Sequence, residues 1–294
     1  MPTVRDLRDR IRSLKNTQQI TKAMKQVAAA KIRRAEAAQK RARPYADALS
    51  QMLHDLIGAV HSVDHPFMRP GKTGAPAGIV LISADKGLAG AFNSNVIHAA
   101  EQLARQRGAA RYYTIGTKAR NAVRRMGMPD HATWPLSSGE KIDTARDAAR
   151  RASDDFRHGE ISEIVLVSQQ LITMLSQRPL TRKLVPVEPD SSFDSIQDYK
   201  GGAKASRGAI EFAPSPEFVL GRLLPKYLEF TIYSAMLETD AAFFAAQLVA
   251  MTNATDNASK LIDELTIAMN NARQAAITKE LLEIVAGAEA LGVE

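Results

Sequence analysis

The 294-residue chain contains no cysteine and only one tryptophan. Without cysteine it has no disulfide framework, no thiolate nucleophile and no thiolate metal site. No apolar run approaches the roughly 20 residues of a membrane-spanning helix. The first 14 residues, MPTVRDLRDRIRSL, lack the apolar core of a signal peptide, and their acidic residues argue against a transit peptide. We therefore expect a chain that carries neither type of leader and does not itself cross a membrane.

Two long stretches contain almost no proline or glycine. Between residue 3 and about residue 60 only Pro44 and Gly58 interrupt, and between Pro216 and Leu291 only Gly221, Pro225 and Gly287 do. Each stretch is typical of one long helix. At 1.5 Å per residue the first would span roughly 85 Å, with a kink at Pro44, and the second roughly 110 Å. Ser215 is expected to cap the second helix, with Pro216 at its first helical position.

Small and apolar residues recur in both stretches at heptad spacing, which is typical of a coiled coil. In the second stretch the line is Ala254, Ala258, Leu261, Leu265, Ala268, Ala272 and Ala275, and after a stutter it resumes at Ile277, Leu281, Ile284, Ala288 and Leu291. In the first it is Val4, Leu7, Ile11 and Leu14, and after a slip near Thr17 it resumes at Ile20, Met24, Val27 and Ala28. We expect the two helices to pair antiparallel, with the longer second helix extending beyond its partner.

The net charge of +7 is unevenly distributed. Residues 1–43 hold 13 Lys and Arg against three acidic residues, whereas residues 214–294 hold five basic and 11 acidic residues. The basic arm contains no aromatic side chain, so it lacks the stacking platforms of single-stranded nucleic-acid binders. A basic helix face that meets an acidic protein surface is the better interpretation, and no nucleic-acid partner is expected.

The residues between the two long helices alternate between strand and helix patterns. Strands are predicted at 78–83, 111–115, 161–168 and 183–187, and helices at 93–107, 118–126 and 141–157. This alternation predicts an α/β fold with a small parallel, doubly wound sheet. The predicted domains are a coiled-coil helix at 1–60, a Rossmann-like domain at 61–213 with a mobile loop near 189–209, and a second coiled-coil helix at 214–294.

The sequence offers little evidence of an active site. Gly87 and Gly90 follow the first strand but fit neither GxGxxG nor GxxxxGK[ST], so they predict a tight turn, with Asp85 and Lys86 as capping or contact residues. The histidines lack metal-ligand spacing, and His61 and His65 are expected to be solvated loop residues. We expect no metal and no cofactor, while a nucleotide-binding enzyme stays as a minor alternative.

A polar cluster interrupts the alanine-rich part of the second helix. It consists of Asn270, Asn271, Arg273 and Gln274, followed by Thr278 and Lys279. Two interpretations stay open. The cluster is either ordinary exposed helix surface, or a set of hydrogen-bond donors directed at a surrounding protein.

Several segments together resemble the gamma subunit of F-type ATP synthases. They are ITKAM at 20–24, VAAAK at 27–31, SADKGLAGAFN at 83–93, MTNATDNA at 251–258 and NARQAAITKE at 271–280. Ala84 and Lys86 depart slightly from the usual turn pattern SDRGLxGxxN. The resemblance covers essentially the whole chain, apart from the loop near 189–209.

The resemblance implies the non-catalytic rotor shaft of the central stalk. The coiled coil would stand inside a ring of alternating alpha and beta subunits, and the sheet domain would meet the epsilon subunit and the c-subunit ring. The chain would be peripheral, on the cytoplasmic side of a bacterial inner membrane, which it would touch only through partner subunits. An alternative function is that of a coiled-coil adaptor protein.

The resemblance also implies particular contacts with the beta subunit. Arg273, Gln274 and Thr278 match the family's contacts with the beta catch loop. Met24 matches a methionine near the levers of beta, and Lys22 and Lys25 would face acidic beta segments.

Overall fold

A computed structural model describes residues 3–59, 65–128, 130–137, 139–187 and 215–291. The predicted loop at 189–209 therefore lies outside the described residues. The elements in chain order are α1 (Val4–Ala59), a 3-10 turn (Pro66–Met68), β1 (Ala77–Ile82), α2 (Phe92–Arg107), β2 (Ala110–Ile115), α3 (Thr117–Arg125), β3 (Asp130–Trp134), α4 (Lys141–Arg157), β4 (Glu163–Thr173), β5 (Ser176–Val185) and α5 (Pro216–Leu291).

The chain divides into two compact units. One combines Met1–Ala28 with Leu248–Glu294, and we call it the paired-helix unit; the other is Ala29–Gln247, the α/β unit. Each of the two long helices contributes to both units. The domain boundaries expected near residues 60 and 213 stay a prediction.

The α/β unit contains one five-stranded sheet in the order β3-β2-β1-β4-β5. Strands β1 to β4 are parallel and β5 is antiparallel to β4. The sheet is therefore mostly parallel, as predicted, and β5 adds an antiparallel edge strand that the sequence did not predict. The segment 183–187, predicted as a separate strand, mostly belongs to the end of β5. Sequence reasoning missed β3 and most of the β4–β5 hairpin because these segments mix polar and apolar residues.

The sheet is buried on both faces, which accounts for the continuous apolar sequence of β1. On one face Val80 and Ile82 join a core that contains residues from α1, α4 and α5. On the other face Ile79 and Leu81 pack against α2 and α3. Each fully buried aliphatic side chain of this kind contributes about 1.5–3 kcal/mol.

The expected start of α5 is confirmed. The Ser215 hydroxyl accepts a hydrogen bond from the Phe218 amide at 3.3 Å, and Pro216 is the first helical residue. Proline fits there because the first helical amide has no partner within the helix. The helix α1 continues as α-helix through Pro44.

Candidate functional site

Within the paired-helix unit, the two helices meet along one line of side chains on each. On α1 the buried or half-buried residues are Leu7, Ile11, Leu14, Gln18, Thr21, Lys25 and Ala28; on α5 they include Met251, Thr255, Ala258, Ile262, Leu265, Met269 and Ala272. Both lines step by four and three residues, so the predicted coiled-coil pairing is confirmed. A hydrogen bond of 2.8 Å between the hydroxyls of Thr21 and Thr255 joins the helices.

The register of this seam differs from the prediction on α1. Ile20 and Val27 are 60% and 53% exposed, whereas Thr21 is buried. The slip expected near Thr17 does not occur, because the four-three spacing continues through Gln18 and Thr21. Neither of these two residues is apolar, so a pattern of apolar residues does not include them. The hydroxyl of Thr21 is satisfied in the seam because it donates to the Gln18 carbonyl and accepts from Thr255.

On α5 the prediction was right at Ala258, Leu265 and Ala272 and wrong at two positions between them. Leu261 and Ala268 are exposed, and their neighbours Ile262 and Met269 are half-buried instead. The sequence contains two overlapping apolar lines, one residue apart. Only the position of the partner helix selects between them.

Between Arg273 and Ala286, where the structure describes the side chains that follow Ala272, helix α5 has no covered face. Every side chain from Arg273 to Ala286 is exposed, including the apolar ones at Ile277, Leu281, Leu282, Ile284 and Val285. Ala275, the last residue of the first part of the predicted seam, and the second part at Ile277, Leu281 and Ile284 are therefore not paired with α1. This segment, 273–286, is called the exposed tip below. Exposed apolar side chains grouped in this way are typical of an interaction surface.

The polar residues of the exposed tip are available as hydrogen-bond donors. Among the described residues, Arg273 and the side-chain amide of Gln274 have no hydrogen-bond or ion-pair partner. The hydroxyl of Thr278 donates to the backbone carbonyl of Gln274 at 2.9 Å, one helical turn back. A guanidinium with five unused donors suits a carboxylate on another chain.

The three candidate residues on α1 occupy different positions. Lys22 is exposed, while Met24 and Lys25 are half-buried beside the seam. Neither lysine has an ion-pair partner in the described parts of the chain. Because Thr21 lies opposite Thr255, the axial distance from Met24 to Arg273 is roughly 30 Å at 1.5 Å per residue. The structure therefore separates the predicted site residues into two groups.

The turn after β1 is held together by the carboxylate of Asp85. It accepts hydrogen bonds from the amide and hydroxyl of Thr117 at 2.8 and 3.0 Å and from the amide and hydroxyl of Ser137 at 2.9 and 2.6 Å. The Leu136 amide adds a fifth at 3.3 Å. Partial burial by itself raises the pKa of Asp85, but the hydrogen bonds from Ser137, Thr117 and Leu136 outweigh it and lower the pKa below its usual range. The expectation that Asp85 is a capping residue is confirmed.

The rest of this turn has a structural explanation as well. The side-chain amide of Asn93 makes two hydrogen bonds to the backbone, both at 3.0 Å. Its oxygen accepts from the Ala84 N–H, and its nitrogen donates to the Lys86 carbonyl. Lys86 and Leu88 are exposed, and Leu88 has a φ of 63°, which is uncommon for a residue with a Cβ. Contact of Lys86 with another chain stays a prediction.

The carboxyl end of the parallel strands is covered by protein at the point where doubly wound folds bind nucleotides. Phe92 packs against Phe243 with ring centroids 5.7 Å apart, in a cluster that also contains alanines from the turn and from α5. The side chain of Gln169, at the same end, donates to the Phe92 carbonyl at 2.7 Å. At this end of the sheet the space is therefore occupied by side chains of the chain itself.

One histidine prediction was wrong. His65 is buried, and its Nδ1 accepts a hydrogen bond from the Phe67 amide at 3.1 Å, which caps the 3-10 turn. His61 lies outside the described residues. In the described parts of the chain no three or more His, Asp or Glu side chains group as a metal site would need.

Comparisons with known proteins agree along almost the entire chain. The model of the family described as ATP synthase matches residues 3–291. The ATP synthase gamma chain of Pelotomaculum thermopropionicum is 44% identical over 99% of this chain and 100% of its own length. The gamma chain of Heliobacterium modesticaldum is 40% identical over 99% of this chain and its full length.

Solved structures share the fold at lower sequence identity. A chain of the Euglena gracilis mitochondrial ATP synthase, in a structure of OSCP, F1 and c-ring, covers 98% of this chain and 94% of its own, with a TM-score of 0.65 and 17% identity. A chain of the Tetrahymena thermophila mitochondrial enzyme, from its central stalk and c-ring, covers 80% of this chain with a TM-score of 0.59 and 23% identity. Among the described helices, none has both the length and the hydropathy of a membrane span. The family match over residues 3–291 and the identity of about 40% to full-length relatives show that this chain belongs to the ATP synthase gamma-chain family.

Proposed function

We propose that this chain is the central-stalk rotor subunit of a proton-translocating F-type ATP synthase, coupling proton flow through the membrane ring to ATP synthesis or hydrolysis at the beta subunits. Its relatives are named ATP synthase gamma chain, and a protein of the same fold is part of a central stalk. The observation that carries the proposal is the exposed tip, in which no side chain from Arg273 to Ala286 is covered.

The exposed tip fits a shaft that turns inside a sleeve of other subunits. Five large aliphatic side chains there are about half to two-thirds exposed, from 49% at Ile277 to 68% at Ile284. A ring of alpha and beta subunits around the tip would remove these side chains from water. Because hydrophobic contacts are not directional, such a sleeve retains the shaft while it rotates.

Polar contacts at the base of the tip supply the angular preference that the apolar sleeve lacks. Arg273, Gln274 and Thr278 would hydrogen-bond to the catch loop of one beta subunit at a time. A hydrogen bond to a charged group contributes about 1.5–3 kcal/mol, enough to favour one orientation and small enough to break in each cycle.

A second contact region lies on α1, roughly 30 Å along the axis from Arg273. Lys22 and Lys25 are three residues apart and share a face, and both would meet acidic segments of beta. Met24 would contact the same levers of beta. Two contact regions at different heights allow a beta subunit to sense the shaft at two points.

The chain itself is non-catalytic in this proposal, and the nucleotide chemistry belongs to the beta subunits. The α/β unit would meet the epsilon subunit and the c-ring. The chain would be peripheral on the cytoplasmic side of the inner membrane and reach the membrane through these partners. It would need no cofactor of its own.

The test removes the polar contacts and retains the apolar ones. The double variant Arg273→Ala, Gln274→Ala is assembled into the complete complex, and ATP hydrolysis and proton-driven ATP synthesis are measured in membrane vesicles. Both rates should fall roughly tenfold if about 1.5 kcal/mol of coupling is lost. The amount of assembled complex should be unchanged, because the seam and the apolar tip are intact.

Lys260→Ala is the matched control, because Lys260 is an exposed basic residue of the paired part of the same helix. It should leave both rates near those of the unaltered complex. Normal rates in the double variant at normal assembly would show that Arg273 and Gln274 are solvated surface. If the unaltered chain did not assemble with the other subunits at all, the adaptor alternative would be favoured.

A further inference from the structure

Three aliphatic side chains face water where the β4–β5 hairpin turns. Ile172, Met174 and Leu175 are 45%, 43% and 81% exposed, and no other large apolar side chain in the described parts of the chain is as exposed as Leu175. Two-residue hairpin turns favour Gly, Asn and Asp, which suit the backbone of a tight turn. The turn geometry does not by itself favour Met174 and Leu175, which lie between the paired residues Thr173 and Ser176. We call residues 172–175 the hairpin end.

The hairpin end is held in place by hydrogen bonds and extends beyond the neighbouring strand. The Ser176 amide donates to the Thr173 hydroxyl at 3.1 Å, and the side-chain amide of Gln177 donates to the Met174 carbonyl at 3.1 Å. The last pair between β4 and β1 involves Val167, and β4 continues to Thr173, roughly 20 Å farther at about 3.4 Å per residue. A segment that is ordered before binding loses little conformational entropy on binding. The hairpin end therefore suits a preformed contact surface.

One arginine close to the hairpin end has unused donors. Arg178 of β5 is exposed and paired across the hairpin with Gln170, and its Nε donates to the Gln170 side-chain oxygen at 3.1 Å. Its two terminal nitrogens have no hydrogen-bond or ion-pair partner among the described residues. The sequence contains no Asp or Glu from Ile164 to Val187, so the hairpin itself offers this guanidinium no carboxylate. A guanidinium that is already oriented and has free donors suits a carboxylate of another chain.

Exposed aliphatic side chains beside a cation suit either a protein or a membrane surface. From Ile164 to Val187 the sequence contains no aromatic residue and only three basic ones. Segments that bind a membrane surface generally use Trp or Tyr at the interface and clusters of about four to eight Lys and Arg. Protein interfaces, by contrast, are enriched in Met and Arg. The composition of the hairpin therefore favours a protein partner.

We propose that the hairpin end docks in an apolar pocket of another protein subunit, with a carboxylate at the edge of the pocket that pairs with Arg178. Met174 and Leu175 enter the pocket, and Ile172 contacts its edge. The partner is a subunit of the ATP synthase complex, so the proposal rests on the proposed function. It assigns a contact of the α/β unit to named residues, separate from those of the two long helices.

A single introduced thiol tests the docking, because the chain contains no cysteine. Leu175→Cys is treated with N-ethylmaleimide, once as the purified full-length chain and once within the purified complete complex, and mass spectrometry follows the labelling of this chain alone. We expect labelling at least roughly tenfold slower in the complex, because the thiol reacts only in the small fraction of complexes in which the hairpin end is undocked.

Met128→Cys is the matched control. Met128 is also an exposed apolar residue of the α/β unit, at 39%. It precedes β3, and β3 runs parallel to β2, so Met128 lies at the opposite end of the parallel strands from the hairpin end. Its labelling rate should be nearly the same in the chain and in the complex.

Arg178→Lys tests the carboxylate at the edge of the pocket. A carbodiimide joins a lysine amine to a carboxylate in contact with it, whereas it does not couple an arginine. In the complex we expect an amide bond between position 178 and an Asp or Glu of one other subunit, identified by mass spectrometry. The unaltered complex should give no crosslink at this position.

The contrary results are distinct. Equal labelling of Leu175→Cys in the chain and in an assembled complex that hydrolyses ATP would refute the docking and leave the rotor function intact. Failure of the unaltered chain to assemble would refute both. Protection of the isolated Leu175→Cys chain by vesicles of phosphatidylglycerol and phosphatidylethanolamine would overturn the protein partner in favour of a membrane. Absence of the crosslink from Arg178→Lys would overturn the assigned carboxylate.

Discussion

The α/β unit and the exposed tip of the paired-helix unit differ in how far their polar and apolar side chains are buried or hydrogen-bonded within the chain. In the α/β unit a single carboxylate, Asp85, accepts five hydrogen bonds, and β1 is buried along its whole length. In the paired-helix unit Arg273 has no partner among the described residues, and aliphatic side chains of the exposed tip face water. In the first region these groups are used within the chain and add to its stability. The second leaves its groups available, which is what binding to other subunits requires.

Deletion of the same side chain in the two units should give the largest contrast. Ile164→Ala removes a completely buried side chain from the sheet, whereas Ile284→Ala removes one that is 68% exposed. The first should lower the free energy of unfolding by about 2–5 kcal/mol, because it leaves a cavity. The second should change it by less than about 0.5 kcal/mol. Urea denaturation of the isolated chain measures both, and equal losses would contradict the distinction between the units.

A charge placed on α5 tests the register of the seam. Ala258 is 5% exposed and Ala268, ten residues later, is exposed. Ala258→Glu would bury a carboxylate without a partner and should destabilise the paired-helix unit by about 2–4 kcal/mol. Ala268→Glu should be nearly neutral in the isolated chain. Proteolysis and thermal unfolding would report the difference. Equal destabilisation by both variants would restore the register inferred from sequence, which places both alanines in the seam.

Loss of the Asp85 network should have a moderate effect that depends on pH. Asp85→Asn should lower the free energy of unfolding at pH 7 by about 1.5–3 kcal/mol, since the acceptor charge is lost. The folded-state pKa of Asp85 is lowered, so its contribution is complete above the unfolded-state pKa near 4 and disappears as the pH falls through the folded-state value. The gap between the two proteins should therefore close in acid. If the difference in the free energy of unfolding stayed constant down to pH 2, the substitution would act through packing and not through the charge of Asp85.

The smallest expected effect is that of adding ATP or NAD, because we expect neither nucleotide to bind the chain. The carboxyl end of the sheet near the turn is filled by Phe92 and Phe243, and Asp85 uses its oxygens within the chain. Calorimetry of the isolated chain should detect no binding of either nucleotide. Micromolar affinity for one of them would favour the alternative of a nucleotide-binding enzyme. It would also mean that the α/β unit, like the paired-helix unit, is a binding region.

The sequence by itself determined the long helices, the existence of the seam and the central strands of the sheet. Scarcity of proline and glycine, four-three spacing and the apolar run of β1 are local patterns, and each is sufficient for its element. The motifs near both ends and in the turn also predicted the family to which the chain belongs.

Tertiary structure decided the rest. Thr21 lies in the seam because Thr255 of the other helix supplies a hydroxyl, and Ile262 is covered in place of Leu261 because of where α1 lies. Strand β3 and the β4–β5 hairpin contain too many polar residues to be recognised locally, yet they extend an existing sheet by backbone hydrogen bonds. Side chains distant in sequence select among patterns that are locally equivalent, because burial and hydrogen bonding depend on neighbours that only the folded chain brings together.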